Sequence, residues 1–155
     1  MATSAETHNR SVDADTLRQG AGHLHVRPQM QLSARELDAE SLANLGEEAR
    51  RLLYAGDIET LASRFGYALA FDRTPADAIR AELASCFDEM GSSRVIAAGW
   101  EPPRVGYFKP NETGLLALVE CFLPAENGTS VHVEVIVTGR GDETHATLEQ
   151  VSAAV

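Results

Sequence analysis

A strictly alternating run of β-branched residues constrains this chain more than any other feature. From Ser130 to Thr138, Val131, Val133, Val135 and Val137 fall on one side, and His132, Glu134 and Ile136 on the other. A second strand-like stretch, Leu115 to Phe122, precedes it, and a turn containing Asn127 and Gly128 separates the two. Period-two β-branched residues bounded by Asn-Gly specify an antiparallel hairpin. Loop length then sets the register. If Leu115, Ala117, Val119 and Cys121 share the core face with the four valines, paired residues have equal parity, which requires an odd loop. Glu126-Asn127-Gly128 fits as a three-residue loop, with Gly128 in the left-handed conformation of a bulged turn. Val119 should then oppose Val135. On the other face Phe122 should oppose His132, Glu120 should oppose Glu134, and Leu118 should oppose Ile136. A two-residue turn would instead set Glu120 against Val135, which suits the core less well.

Two glutamates directly opposite repel one another. An arginine from a loop or a partner, a proton held by one carboxyl, or a bound cation would relieve them; otherwise they splay into solvent. His132 lies on the same face, one pair further along. Leu116, Leu118, Phe122 and Ile136 give this second face an apolar stripe of its own. A sheet that is apolar on both faces is covered on both. A homodimer through the sheet, or a tail laid across it, is therefore expected.

Upstream the period changes from two to 3.6. Ser33 and Glu36 read as a capping box that opens a helix running to Ala55, with Leu37, Leu42, Leu45, Ala49, Leu52 and Leu53 on one face. Arg50 and Arg51 follow its acidic first half, as the macrodipole favours. Gly46 weakens the middle and could split the helix, and Gly56 ends it. Asp57 caps a second helix bearing Ile58, Leu61, Ala62 and Phe65. Residues 67–71 fit either a continuation of that helix or a short buried strand. Thr74, Pro75 and Asp77 open a third helix, with Ala78, Ile79, Ala81, Leu83, Cys86, Phe87 and Met90 as its buried side and Gly91 at its end. Arg94–Ala98 could be a short strand, the paired prolines after Trp100 force an extended loop, and Val105–Lys109 reads as a strand. After a turn over 139–143, Thr144–Val151 reads as a strand or short helix. The expected fold is α+β: about three N-terminal helices packed on one face of a C-terminal antiparallel sheet of about four strands. Residues 1–32 read as a disordered or loosely docked tail, with a short edge strand at His23–Val26 ended by Pro28, and 33–155 as one domain.

The net charge of −10 is unevenly placed. Residues 1–32 are neutral, whereas 33–60 carry seven acids and three bases, and 114–155 carry six acids and only Arg140. Such a surface repels phosphate backbones, so no nucleic-acid role is expected; it suits a basic protein partner, or simply solubility. No apolar run approaches the about 18 residues of a membrane span. Neither is there an apolar block at the N-terminus, and with Cys86 and Cys121 read as buried free thiols this points to the cytoplasm. The His23/His25 pair could chelate a metal only weakly, having no third ligand nearby. Phosphate loops, clustered metal ligands and nucleophile elbows are missing, so no catalytic residue, metal or cofactor is expected. Arg140-Gly141-Asp142 spells an adhesion tripeptide but reads as a turn.

The stretch Arg51-Leu-Leu-Tyr-Ala-Gly-Asp-Ile-Glu-Thr-Leu-Ala62 resembles the opening of nuclear-transport-factor-2-like (SnoaL-like) domains. The resemblance implies a helix, a Gly-Asp turn, a second helix, and a curved sheet closing a cone around a pocket. Enzymes of that family place an Asp or His inside the cone; here the clearest strand points four valines to one face, so no such group is evident. Two functional readings follow. The first is a non-enzymatic cytoplasmic binding protein, an immunity or antitoxin-type inhibitor or a small chaperone, whose acidic face engages a basic protein. Its site residues would be Glu36, Glu40, Glu47 and Glu48 on the first helix, Glu120, His132 and Glu134 on the sheet, and Trp100. The alternative is an NTF2-like small-molecule binder or enzyme with a pocket between helices and sheet, lined by Tyr54, Asp57, Tyr67 and Trp100.

Overall fold

The computed structural model describes residues 30–155. The chain forms β1 (Met30–Leu32), a 3-10 turn (Ala34–Leu37), α1 (Ala39–Ala55), α2 (Ile58–Phe65), α3 (Pro75–Met90), β2 (Arg104–Tyr107), β3 (Leu115–Pro124), β4 (Ser130–Arg140) and β5 (Glu143–Ala154). The strands make one antiparallel sheet in the order β1-β5-β4-β3-β2. Three helices therefore pack on a five-strand sheet. The strand beyond the expected four is β1, whose Met30–Leu32 pair with Ala146–Thr144 and bring into the sheet three residues read from the sequence as tail. The strand expected at His23–Val26 and the His23/His25 pair lie outside the described residues.

The hairpin forms in the register that the odd loop requires. Val119 faces Val135, Glu120 faces Glu134, Phe122 faces His132 and Leu118 faces Ile136. Ala125 N–H donates to Thr129 O across the loop, and Gly128 has φ 85°. One detail differs near the far end. A bulge at Leu116, next to Gly114 at φ 74°, exchanges the roles of two leucines. Leu116 turns to the core beside Gly139, while Leu115 pairs with Thr138 on the outer face. An extra residue reverses side-chain alternation, which parity counting cannot foresee.

The first helix begins later than its capping box suggests. Glu36 does reach back to the Ser33 N–H at 3.0 Å, but the box caps only the 3-10 turn. Asp38 then breaks the run in an extended conformation and caps α1, its carboxylate accepting from Ser41 N–H at 2.8 Å. Gly46 does not split α1, since the helix passes through it at its closest approach to the sheet. A Cβ there would lie 2.8 Å from Val119 Cγ1 and 3.0 Å from Pro103 Cβ. Gly56 (φ 71°) ends α1, Asp57 caps α2, Thr74 caps α3 with Pro75 in its first turn, and Gly91 (φ 66°) closes it. Of the residues expected on the buried side of α3, Ala78, Ile79, Cys86 and Met90 are buried, Leu83 and Phe87 half-buried, and Ala81 exposed.

Residues 67–71 are neither helix nor strand. They turn along the edge of β5 that β1 leaves open: Ala68 N–H donates to Leu148 O at 2.9 Å, and the buried Tyr67 hydroxyl accepts from Val151 N–H at 3.3 Å. The segment ends at Phe71, a non-glycine at φ 56° with 76% of its surface exposed. Arg94–Ala98 contributes only a bridge between Val95 and Ala125. The core lies between the helices and the face carrying Val119, Val133, Val135, Val137 and Leu148.

Two measurements follow. Gly46→Ala should destabilise by about 1–3 kcal/mol in chemical denaturation, because overpacking against Val119 and Pro103 outweighs the gain of about 1 kcal/mol in helix propensity. Stability should also fall in alkali. Burial pushes the Tyr67 phenol up to about 12, the Cys121 thiol to about 12 and the Cys86 thiol to about 11. The unfolded chain loses these protons from about pH 8.5–10 upward. Between those values and the folded ones it binds fewer protons than the native state, so unfolding becomes easier as pH rises. Denaturation midpoints at pH 8, 9, 10 and 11 check the sign.

Candidate functional site

The helices occupy one face of the sheet, and the opposite face gathers a cluster of polar and aromatic side chains. Because Phe122 pairs with His132, their rings stack with centroids 4.6 Å apart at 10°. His132 Nε2 lies 3.2 Å from Glu120 Oε2, and Nδ1 lies 3.3 Å from Glu134 Oε1. One imidazole thus spans the two opposed carboxylates that the register forces together. Both contacts are hydrogen bonds only for the doubly protonated ring, since a neutral imidazole donates from one nitrogen. The Arg104 guanidinium completes the group, 5.9 Å from the Phe122 ring centre and paired in register with Glu120. Leu118 and Ile136 continue the stripe, half-buried. The two carboxylates thus share one face of the sheet, half-buried, with the stacked rings and the apolar stripe.

The acidic residues of the first helix are placed differently. Glu36 caps its own turn. Glu47 pairs with Arg50, and Glu48 with Arg64. Glu36 and Glu40 are exposed with no ion pair to another described residue, and of the two Glu36 is occupied in its own cap. The structure therefore does not assemble Glu36, Glu40, Glu47 and Glu48 into one free acidic patch, because sequence spacing cannot show which arginines fold back onto them.

Trp100 packs inward. Its indole N–H donates to Ile96 O at 2.9 Å, its ring meets Tyr54 edge-on at 5.5 Å, and the Arg50 guanidinium lies 4.8 Å above it. Arg50 is the residue that sequence reasoning missed. It is only 1% exposed, and its Nη1 donates to Glu101 O at 2.9 Å and Phe122 O at 3.0 Å. The signal was present: Arg50 lies one turn from Gly46 and one turn from Leu53, both buried on the same face of the helix.

The four residues expected to line a pocket serve separate purposes. Tyr54 and Trp100 contact each other, Asp57 caps α2, and Tyr67 is tied to β5. An open cleft of about 350 Å³ lies between α2 and the start of α3, lined by Glu59, Ala62, Ser63, Thr74, Pro75 and Ala76. Among the described residues no three His, Cys, Asp or Glu side chains are grouped to hold a metal ion. No described helix is long and apolar enough to cross a membrane.

The His132 bridge has a measurable consequence. Cross-strand pairs are worth about 0.2–1 kcal/mol. His132→Ala should cost about 1 kcal/mol or more at low ionic strength, from the lost stack and the unbridged glutamates. Glu134→Gln in the His132→Ala background should recover part of that loss, and the recovery should shrink in high salt. A double-mutant cycle by denaturation at two salt concentrations reads both.

Comparison with protein-family models, with curated proteins and with solved structures finds no match to this chain. What stands is the α+β architecture itself, with three helices packed on a five-strand antiparallel sheet whose strands β2–β5 follow them.

Proposed function

We propose that this chain is a non-enzymatic binding protein that holds a basic protein partner, as an immunity or antitoxin-type inhibitor or a small chaperone would. The observation that carries the reading is the His132 bridge. On the outer sheet face, two carboxylates paired in register are bridged by one imidazole beside an apolar stripe. A partner's lysine or arginine can take that place, with Leu118, Phe122 and Ile136 supplying apolar contact. The wider charge pattern supports it, since residues 114–155 hold six acids against Arg140 alone. The first helix packs on the other face of the sheet, and its Glu47 and Glu48 already have arginine partners. The NTF2-like alternative, with a small molecule between helices and sheet, draws its support from the order of the three helices before strands β2–β5.

Capture by the full-length protein tests the reading. Proteins retained at low salt should be basic, associate quickly, and be lost as salt rises. Glu120→Gln with Glu134→Gln should slow association about tenfold, a coupling of about 1.4 kcal/mol. An unchanged association rate in the double variant would remove the sheet from the interface.

A further inference from the structure

We infer that this chain pairs with a second copy of itself through α2 and α3, Phe71 of each copy seating in the cleft of the other. Phe71 carries the argument. Its ring is 76% exposed and its backbone holds φ 56°. A bulky side chain enters that left-handed region only where its surroundings impose it. Here they do. Tyr67 and Ala70 are buried, and Ala68 N–H donates to Leu148 O. Arg73 N–H closes back on Ala70 O at 3.0 Å, and Arg73 Nη2 reaches Leu69 O at 3.3 Å. The backbone is therefore pinned on both sides of Phe71 while the ring stands in solvent. Glycine would serve the turn with less strain. A phenylalanine held this way gains only when an apolar pocket receives its ring.

Such a pocket begins just downstream, at Thr74. The open cleft of about 350 Å³ between α2 and α3 has Ala62, Pro75 and Ala76 in its wall. That volume is at the low end of ligand clefts, about 300–1,000 Å³, and suits one aromatic ring better than a cofactor. The exposed Phe71 does not fill the cleft of its own chain. Because ring and cleft are neighbours on one surface, a two-fold axis between them makes both contacts at once, a closed isologous pair. The flanking charges match. Asp72 and Arg73, both exposed, follow Phe71, while Glu59 and Arg80 meet at the cleft at 2.7 Å. Arg73 of one copy can face Glu59 of the other, and Asp72 can face Arg80, each acid against a base. A buried aromatic ring covers about 150–250 Å². Two rings in two clefts stay below about 1,200 Å² of total interface, the range of weak, reversible association. The helices lie on the side of the sheet away from Glu120 and Glu134, so the inference is independent of the basic-partner reading.

Sedimentation equilibrium of the full-length protein between about 5 and about 500 µM is the test, and should show reversible monomer and dimer. Phe71→Gly should weaken the dimer about tenfold or more, as loss of an aromatic anchor does, without lowering the denaturation midpoint. Ser63→Arg, which fills the cleft and leaves Phe71 in place, should weaken it as much. Arg73→Glu should weaken it too, and adding Glu59→Arg to the same chain should restore part of the loss. Cys86 and Cys121 are buried, so a nitroxide goes selectively onto Asp72→Cys. Mixed with isotope-enriched wild-type protein, that label should broaden the amides of Glu59, Ser63 and Ala76 in the other copy. A protein still monomeric at the highest concentration would overturn the inference, as would a dimer unmoved by Phe71→Gly and Ser63→Arg. Broadening that falls instead on Leu118, Glu134 and Thr147 would also overturn it, and would assign the pairing to the outer face of the sheet.

Discussion

The guanidinium of Arg50 joins the two layers of this fold at a place where the sheet alone is incomplete. β2 covers the outer edge of β3 only as far as Glu120, opposite Arg104. Beyond that point the carbonyls of Phe122 and Pro124 face away from β4 with no strand to receive. Arg50 donates to the first, and Ile96 N–H donates to the second at 2.8 Å. The same guanidinium holds Glu101 O and pairs with Glu47, and it lies over Trp100. Burying a charge costs several kcal/mol unless hydrogen bonds and a counter-ion offset it. Arg50 has them at Nη1 and Nη2, though not at its buried Nε. Helix α1, the Trp100 loop and strand β3 are thereby fixed to one another, and Gly46, one turn earlier, lets α1 come close enough for the reach.

This arrangement changes what the acidic composition means. On α1 the acids serve the fold: Asp38 and Glu36 cap, Glu47 neutralises Arg50, and Glu48 meets Arg64. Hydrogen bonds from Ser33 and Ser41 hold the carboxyls of Glu36 and Asp38 below the usual carboxylate range. On the sheet the acids are set against each other by register, and one histidine must serve two of them. Unbalanced charge is thus a property of the sheet's outer face much more than of the helix.

How much of this was legible depended on the range of the interaction. Local chemistry read well. Thr74, Gly91, Asp57 and Gly56 punctuate the helices as their side chains dictate, and the three-residue loop set every cross-strand pair from Leu118 to Phe122. Non-local effects did not read. The bulge at Leu116 moves two side chains across the sheet, and nothing in Leu-Leu-Ala announces it. β1 has three residues, too few to show a period, and exists because β5 offers it an edge. The 67–71 segment has no regular structure because its hydrogen bonds go to a strand some 80 residues later, to Leu148 and Val151. Of the candidate site, the Glu120–Glu134 opposition followed from parity; His132 as its bridge needed side-chain rotamers, and Arg50 needed the tertiary path of the loop at Glu101.

The same edge contacts bear on how copies of this protein behave when crowded together. An open β-strand edge is a template for pairing with another chain and so for fibrous aggregation. Here each edge is blunted. On one side, among the described residues, β1 pairs at Met30–Leu32 and the Tyr67–Ala68 turn takes up hydrogen-bonding groups of β5 at Leu148 and Val151. On the other β2 spans four residues between Pro103 and Pro110, and Arg50 with Ile96 takes the β3 carbonyls that β2 does not reach. A sheet rich in valine, which in isolation would stack readily, is left with little backbone on which a neighbour could nucleate.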